Sequence, residues 1–593
     1  MTSGAPTALA HRHRLALLAL LAFALDVTGA TWGLPARWHP DEKADAAARM
    51  AREGSLAPDS FINPTLPVYL MLPVVWAQQR AADAGLLAGR AADPVLAGRL
   101  LSALAGAAAV FLTGLLGSRM SRGIGVLGAA LLAVIPAVVN LCHFATPEAW
   151  LILGAAATLL LCARHAEGSS PAWAVGLVLG LTASTKYTAA ALAVPCVIAV
   201  WMGRREPRRH DALAIAVAGA LALAAGWLLL TGPGTGLAAG LHLEDARLLR
   251  PERAAAFVEG LGRASCVFGA GALVVAALAA AGVRAALRLA RGEIAVVGAA
   301  AIAGFLVGTP FAVVEPRSFL SDLAFNDQTR FEYKGLTGAS SSYRAYLDLA
   351  EDGLTLPVLA MAVAGLIVAA ARGAQGERIS PVLIAGAVAP YVLVASSGHQ
   401  ALRFLAPALP AAVLLAALAT LSMPSVPIRR AVAGVLVARA ALASVLVLRL
   451  FFVDSRGQAA RWLEAHTVPG ETIDVIANNP GYAPHIPAGR TLRVVPTLSR
   501  EMAPADRFAE AAARYRADAA PWLVLTASYY ERFLEHPEQR PERTRFFADL
   551  LAGRGGFDVA ARFHQTGWRR PAAEFVDPEI VVLRRRPSYV PIS

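Results

Sequence analysis

The sequence contains little cysteine and almost no lysine. Its four cysteines all fall inside apolar runs: Cys142, Cys162, Cys196 and Cys266. A disulfide framework or a zinc site would need cysteines in extramembrane stretches, so neither is implied. The chain shows no internal repeat, and no low-complexity segment beyond a general bias towards alanine and leucine. Lysine is limited to three of the 593 positions, which are Lys43, Lys186 and Lys334.

Polar residues are also scarce. Hydrophobic residues make up 56% of the chain and the mean hydropathy is +0.52, which excludes a soluble protein. Many apolar runs are long enough to cross a hydrocarbon core of about 30 Å. The net charge of +12 would be compatible with a nucleic-acid-binding protein, but the arginines cluster in short loops such as 204–209 and 429–430. Such clusters indicate membrane orientation, so membrane lipid is the expected partner and nucleic acid is not.

The apolar pattern predicts a polytopic α-helical membrane protein with about 13 spans. The amino-terminal run resembles a signal peptide, but no small-residue cleavage site follows it, so it is predicted to be a retained first span. The positive-inside rule then places the amino terminus in the cytoplasm and the carboxyl terminus outside. The least certain stretch is 172–202, where Lys186 interrupts the apolar run and the pattern fits either one long helix or two short ones. The predicted spans are 15–34, 95–117, 124–141, 147–163, 172–185, 187–202, 212–231, 264–283, 293–312, 354–371, 380–396, 403–421 and 430–450.

Three long loops are predicted on the outer face, at 35–94, 232–263 and 313–353. In the first, a helix over 41–53 ends at Gly54, and a second helix over 66–78 is predicted to lie along the interface. The composition changes near residue 453. The chain is therefore divided into a transmembrane module, 1–452, and an outer α/β domain, 453–593. The elements predicted in the outer domain are helices at 455–466, 504–517 and 528–553 and strands at 472–477, 491–495, 522–526, 557–563 and 578–585.

The first outer loop also contains the residues with the clearest chemistry. Asp41 and Glu42 follow the first span, where a carboxylate is tolerated if it faces water or a substrate. There, Asp41 can take a proton from an acceptor hydroxyl as it attacks an anomeric carbon. A phosphate leaving group needs no separate acid, and desolvated cations would stabilise it. Lys186 and Arg403 are the candidate cations.

Each of these residues also fits a structural role. Acidic residues are favoured in the first turn of a helix, which accounts equally for Asp41 and Glu42. Lys186 can extend its amine to the interface, and Arg403 can be an ordinary flanking charge. Glu148 follows a proline at the start of a span, as helix-start carboxylates commonly do. The residues alone leave both interpretations open.

The order of several blocks resembles glycosyltransferase family 39 and its relatives of the GT-C fold. HPDEKADAAARMAREGS resembles the Asp-Glu motif of the family's first loop, and FINPTLPVYLML resembles the segment that follows. STKYTAAALAVP, GTPFAVVEPRSFLSDLAF, LRFLAPALP and DSRGQAARWLEAHTVPGETI are similar to later blocks. The resemblance covers most of the chain. It implies a polyprenyl-phosphate sugar as donor, Asp41 as catalytic base and Glu42 in support.

The chain departs from relatives that transfer aminoarabinose to lipid A. It has Ala44 where they have an arginine and Asn63 where they have a phosphate-binding lysine, so Lys43 or Lys186 is expected to substitute. No inserted domain like that of eukaryotic protein O-mannosyltransferases is seen. The motifs require no cofactor, and a divalent metal held by Asp41 and Glu148 remains open. The full set of expected substrate and phosphate ligands is Lys43, Asn63, Tyr69, Lys186, Tyr187, Lys334 and Arg403.

The sequence therefore predicts an integral membrane hexosyl- or pentosyltransferase. It would move one sugar, with inversion, from a polyprenyl-phosphate donor to a lipid, polysaccharide or other glycan acceptor. The expected location is a bacterial inner membrane, with the active site and the terminal domain outside. A transporter or lipid-linked sugar flippase is the main alternative, since the same charges could line a translocation path. A non-catalytic scaffold with a binding domain at 454–593 is the third.

Overall fold

The computed structural model describes residues 5–203, 209–242, 249–283, 286, 291–330, 332–333, 336–337, 342–477, 480–495, 498, 505–564 and 575–587. Helices dominate as far as residue 450. The amino-terminal group is α1 (Ala5–Val27), α2 (Ala44–Glu53), α3 (Leu66–Asp83), α4 (Pro94–Ser118), α5 (Arg122–Val134), α6 (Pro136–Cys142), α7 (Pro147–Ala166), α8 (Ala172–Ala183) and α9 (Ala193–Met202). A 3₁₀ turn, Gly89–Ala92, precedes α4, and another, Tyr187–Leu192, precedes α9.

The second group of helices completes the membrane part. It consists of α10 (Arg209–Leu230), α11 (Gly232–Ala239), α12 (Pro251–Ala280), α13 (Gly292–Gly308), α14 (Phe311–Val314), α15 (Pro316–Thr329), α16 (Tyr343–Leu354), α17 (Leu356–Ala374), α18 (Ile379–Ala395), α19 (Leu409–Ser422) and α20 (Val426–Leu450). A two-residue antiparallel pair, β1 (Glu332–Tyr333) and β2 (Leu336–Thr337), lies between α15 and α16. A 3₁₀ segment, Leu402–Ala408, leads into α19.

Among the described residues, seven helices are long and apolar enough to cross a membrane, or eight if a bent pair counts as one span. The polytopic helical class is therefore confirmed, while the count of 13 stays a prediction. Each predicted span overlaps helix, but several differ in detail, and the first helix ends at Val27 instead of residue 34. The stretch 172–202 is two short helices separated by a 3₁₀ turn, and α12 begins at Pro251, inside the predicted second loop.

The predicted span 124–141 is broken. Helices α5 and α6 meet at Ile135 with a bend of 59°. Pro136 explains the break, because it cannot donate to the preceding turn and suits the first position of a new helix. All seven residues of α6 are buried, so the break directs this short helix into the interior.

The terminal α/β domain is confirmed. Its elements are α21 (Ser455–His466), β3 (Thr472–Val475), β4 (Thr491–Val494), α22 (Ala505–Ala517), β5 (Trp522–Thr526), α23 (Ala527–Glu535), α24 (Pro541–Leu551), β6 (Phe557–Phe563) and β7 (Ile580–Arg585). The sheet order is β4-β3-β5-β7-β6, with parallel pairing on either side of β3 and antiparallel pairing on either side of β7. The predicted boundary at 452–453 falls between α20 and α21 and stays a prediction.

Candidate active site

A cavity of about 500 Å³ opens where the first long loop, 35–94, meets the ends of several helices. Its walls come from the first loop, the α6–α7 connection, the 3₁₀ turn before α9, α15, α16, the end of α18 and the terminal domain. Four of the seven expected substrate and phosphate ligands line it together with Asp41, namely Asn63, Lys186, Tyr187 and Arg403, and Glu148, the candidate metal ligand, lines it as well. The fold therefore brings together residues that lie more than 300 positions apart in sequence.

The first loop is anchored on the residues next to Asp41. Glu42 receives two hydrogen bonds from the Arg99 guanidinium, 2.7 and 2.9 Å long, and a third, 2.9 Å long, from the Ala145 amide. The amide of Lys43 donates in turn to the Ala145 carbonyl at 2.8 Å. With Glu42 and Lys43 held in this way, Asp41 is left at the cavity wall with its side chain about half exposed (48%).

Close helix packing supports the same loop. Helix α2 begins at Ala44 and ends before Gly54, which adopts the left-handed conformation at φ 64°. On α4, a Cβ at Gly98 would lie only 2.7 Å from the Ala145 Cβ and 3.1 Å from that of Ala44. Glycine at this position therefore lets α2 and the α6–α7 connection approach α4 closely.

Arg403 is the cation next to the predicted base. Its Nη2 lies 3.9 Å from Asp41 Oδ2, close enough for an ion pair but too far for a hydrogen bond. Burial raises the pKa of Asp41, but Arg403, His39 and Lys43 lower it by more. The net pKa of Asp41 lies below its ordinary value, so this carboxyl group is ionised at neutral pH and able to accept a proton.

Lys186 is paired with Glu148 inside the cavity wall. Its Nζ donates to Glu148 Oε1, and both side chains are more than nine-tenths buried. The same Nζ lies 4.9 Å from the centre of the Phe404 ring, and the Arg403 Cζ lies 5.5 Å from it. The two cations therefore contact one aromatic ring, with Glu148 on the Lys186 side and Asp41 on the Arg403 side.

His39 is a cavity residue that the sequence did not single out. Burial lowers the pKa of its imidazole to about 4, so the ring is neutral at pH 7. Its Nδ1 accepts a hydrogen bond from the Asp41 amide at 3.1 Å, and the ring packs on Phe144 at 4.2 Å. The only signal in the sequence was its position two residues before Asp41.

Phe575 brings the terminal domain into the site. Its ring lies 4.5 Å from that of His39 and 5.0 Å from the Arg403 Cζ. The Phe575 carbonyl accepts a hydrogen bond from Arg456, whose fully buried guanidinium also bonds to the carbonyl of Trp38 at 3.0 Å. No feature of the sequence indicated that a residue this close to the carboxyl terminus would reach the first loop.

Other predicted ligands lie elsewhere. Lys43 and Tyr69 are not among the cavity-lining residues in the described part of the chain, and the Tyr69 hydroxyl donates to the Leu56 carbonyl at 3.0 Å. Glu42 does not line the cavity either, since its oxygens face Arg99 and Ala145. Lys334 falls outside the described residues. The roles predicted for these four residues stay predictions.

A metal site has limited support. Asp41 and Glu148 line one cavity, as expected for a shared ion, but Glu148 bonds to Lys186. Within the described ranges there is no group of three or more histidine, cysteine, aspartate or glutamate side chains placed to hold a metal. The predicted pairing of the two carboxylates at a metal therefore stays untested.

Comparison with known proteins supports the family resemblance over part of the chain. Residues 87–229 match the family described as dolichyl-phosphate-mannose-protein mannosyltransferase. The matched segment contains Glu148 and Lys186 of the cavity but begins after Asp41. No curated protein matches the chain.

The chain also aligns with solved structures at low sequence identity, including the following two. The archaeal oligosaccharyltransferase AglB from Archaeoglobus fulgidus, in complex with an inhibitory peptide and a dolichol-phosphate, has a TM-score of 0.47 and 13% identity over 88% of this chain and 71% of its own. ArnT from Cupriavidus metallidurans, bound to undecaprenyl phosphate, has a TM-score of 0.41 and 13% identity, and the alignment covers 97% of this chain and 98% of ArnT. At this level of similarity neither structure assigns roles to individual residues here.

Proposed function

We propose that this protein transfers a sugar from a polyprenyl-phosphate donor to an acceptor hydroxyl, with Asp41 as the catalytic base. The observation that carries the proposal is the arrangement in one cavity of an ionised carboxylate and two cations. Asp41 faces Arg403 at 3.9 Å, and Arg403 and Lys186 pack on the same Phe404 ring.

The reaction follows from the charges. The acceptor oxygen attacks the anomeric carbon, its proton passes to Asp41, and the bond to the phosphate oxygen breaks with inversion. A phosphodiester donor carries one negative charge, and the released monoester, with a second pKa of about 6, gains a second charge. Arg403 and Lys186 stabilise this growing charge, so the transition state gains more from them than the bound donor does.

The finer assignments are proposals of the same kind. A hexose or a pentose is the transferred sugar, and the acceptor is a lipid, a polysaccharide or another glycan. Membrane lipid surrounds the helices, and the cavity opens on the outer side of a bacterial inner membrane. The anchored loop supports a fixed active site, because a base held by its neighbours can be positioned before substrate binds.

Purified protein in detergent tests the proposal. Wild type, Asp41→Asn and Asp59→Asn are incubated with a panel of polyprenyl-phosphate hexoses and pentoses and with glycolipid and oligosaccharide acceptors. Asp59 is the matched control, since it is an exposed carboxylate of the same loop paired with Arg49. We expect product from wild type and Asp59→Asn and almost none from Asp41→Asn at an unchanged Tm. Equal product from Asp41→Asn would overturn the role of Asp41. The same protein reconstituted into vesicles tests the alternative, since donor movement across the bilayer without product would favour the flippase.

A further inference from the structure

Asn140 lies in the middle of the short helix α6 and lines the cavity. Its side chain is fully buried, and neither Oδ1 nor Nδ2 has a hydrogen-bond partner among the described residues. A buried amide without partners lowers the stability of the fold, because its hydrogen bonds to water are lost and not replaced. The other residues of α6 avoid this cost, since they are apolar or proline.

We propose that Asn140 is the residue that recognises the sugar, and that its amide hydrogen-bonds a ring hydroxyl of the donor. This inference rests on the function proposed above. A carboxamide offers two N–H donors and a carbonyl acceptor, and a hydroxyl group can both donate and accept. A phosphate at neutral pH offers acceptors alone and is matched by the cations Lys186 and Arg403. The uncharged Asn140 therefore fits the sugar better than the phosphate.

The structure also connects Asn140 to the predicted base. Four residues after it, Phe144 lines the same cavity and packs on the His39 ring at 4.2 Å. The His39 Nδ1 accepts a hydrogen bond from the Asp41 amide. Asn140 and Asp41 line the same cavity, so a sugar bound at Asn140 shares that cavity with the predicted base.

Binding of two probes separates sugar recognition from phosphate recognition. The dissociation constants of bare polyprenyl phosphate and of each polyprenyl-phosphate sugar are measured for wild type, Asn140→Leu and Asn140→Ala. Thr113→Val is the matched control, because Thr113 on α4 is also buried with an unpartnered side-chain oxygen but does not line the cavity. The alanine variant guards against a leucine side chain that blocks the cavity.

We expect both Asn140 variants to bind bare carrier as wild type does and to lose about ten-fold or more of the preference for the cognate sugar-linked carrier, the loss expected for one or two hydrogen bonds. A donor lacking the recognised hydroxyl should bind wild type and Asn140→Leu equally. Thr113→Val should keep the full preference.

Unchanged preference in both Asn140 variants would overturn this inference and leave the proposed function standing. A wild type that binds no sugar-linked carrier more tightly than bare carrier would overturn the proposed donor, and the role of Asn140 with it.

Discussion

Asp41 and Arg403 face each other across the cavity wall, with Asp41 Oδ2 and Arg403 Nη2 3.9 Å apart. The separation is that of an ion pair without a hydrogen bond, so the guanidinium lowers the pKa of the carboxyl group without occupying it at bonding distance. Asp41 can therefore accept a hydrogen bond from an acceptor hydroxyl while Arg403 donates to a phosphate oxygen. This relationship underlies the first two predictions.

Asp41→Asn should lower the rate of sugar transfer by about 10²- to 10⁴-fold, the usual contribution of a general base. The Asp41 side chain is about half exposed and asparagine has nearly the same size, so the Tm should change little. Initial rates with saturating donor, together with a thermal unfolding curve, measure both quantities. Because a general base contributes at least about 10²-fold, a rate within about three-fold of wild type would show that Asp41 is not the base.

Activity should fall at low pH, because Asp41 must be ionised to accept a proton. Arg403, His39 and Lys43 outweigh burial and hold the Asp41 pKa below its ordinary value, so the acid limb of the kcat/KM profile should lie below that value. Arg403→Gln should move this limb to higher pH, because it removes the largest of the lowering contributions. An acid limb that stays in place in this variant would contradict the assigned pair.

Glu42→Gln should behave differently from Asp41→Asn. Glu42 and Arg99 form a bidentate pair in which both side chains are almost fully buried (3% and 1% exposed). Removing the charge leaves Arg99 buried without its counter-ion, which costs about 3–5 kcal/mol in comparable pairs. The variant should lose both Tm and activity. Loss of activity at wild-type Tm would instead support a direct role for Glu42 in catalysis.

Lys186→Met should destabilise the protein, because Glu148 would remain buried without its partner. The double variant Lys186→Met with Glu148→Gln should recover most of the Tm, since neither charge is then buried alone. If Lys186 holds the donor phosphate, the recovered protein should still transfer sugar at least ten-fold more slowly, with a raised KM. A double variant with wild-type kinetics would make the pair purely structural.

Phe575→Ala should lower kcat/KM by about three- to thirty-fold, the equivalent of a cation–π contact of roughly 0.5–2 kcal/mol. The ring packs on Arg403 and His39, so its loss should loosen the cation beside Asp41. Phe575→Tyr keeps the ring and should restore the kinetics. Wild-type kinetics in Phe575→Ala would show that the terminal domain only covers the site.

Local patterns predicted the secondary structure well. Strand β5 has the bounds expected of a short apolar run, helix α21 has those expected from amphipathic spacing, and Gly54 ends α2 as a left-handed cap. The break at Ile135 was missed because the spans were assigned from hydropathy, which stays high across Pro136, although a proline inside a helical run is itself a signal of a break. The early start of α12 was missed for a related reason, since its first turns carry charged residues that resemble a loop.

The sequence by itself determined the membrane class, the terminal α/β domain and the candidate status of Asp41, Lys186 and Arg403, because hydropathy, periodicity and charge are properties of neighbouring residues. Tertiary structure alone decided which of these charges share a cavity, that Glu42 faces Arg99, and that Asn140 and Phe575 join the site. Those outcomes depend on how distant helices and the terminal domain pack together. Packing over such separations is a property of the whole fold, and no local pattern encodes it.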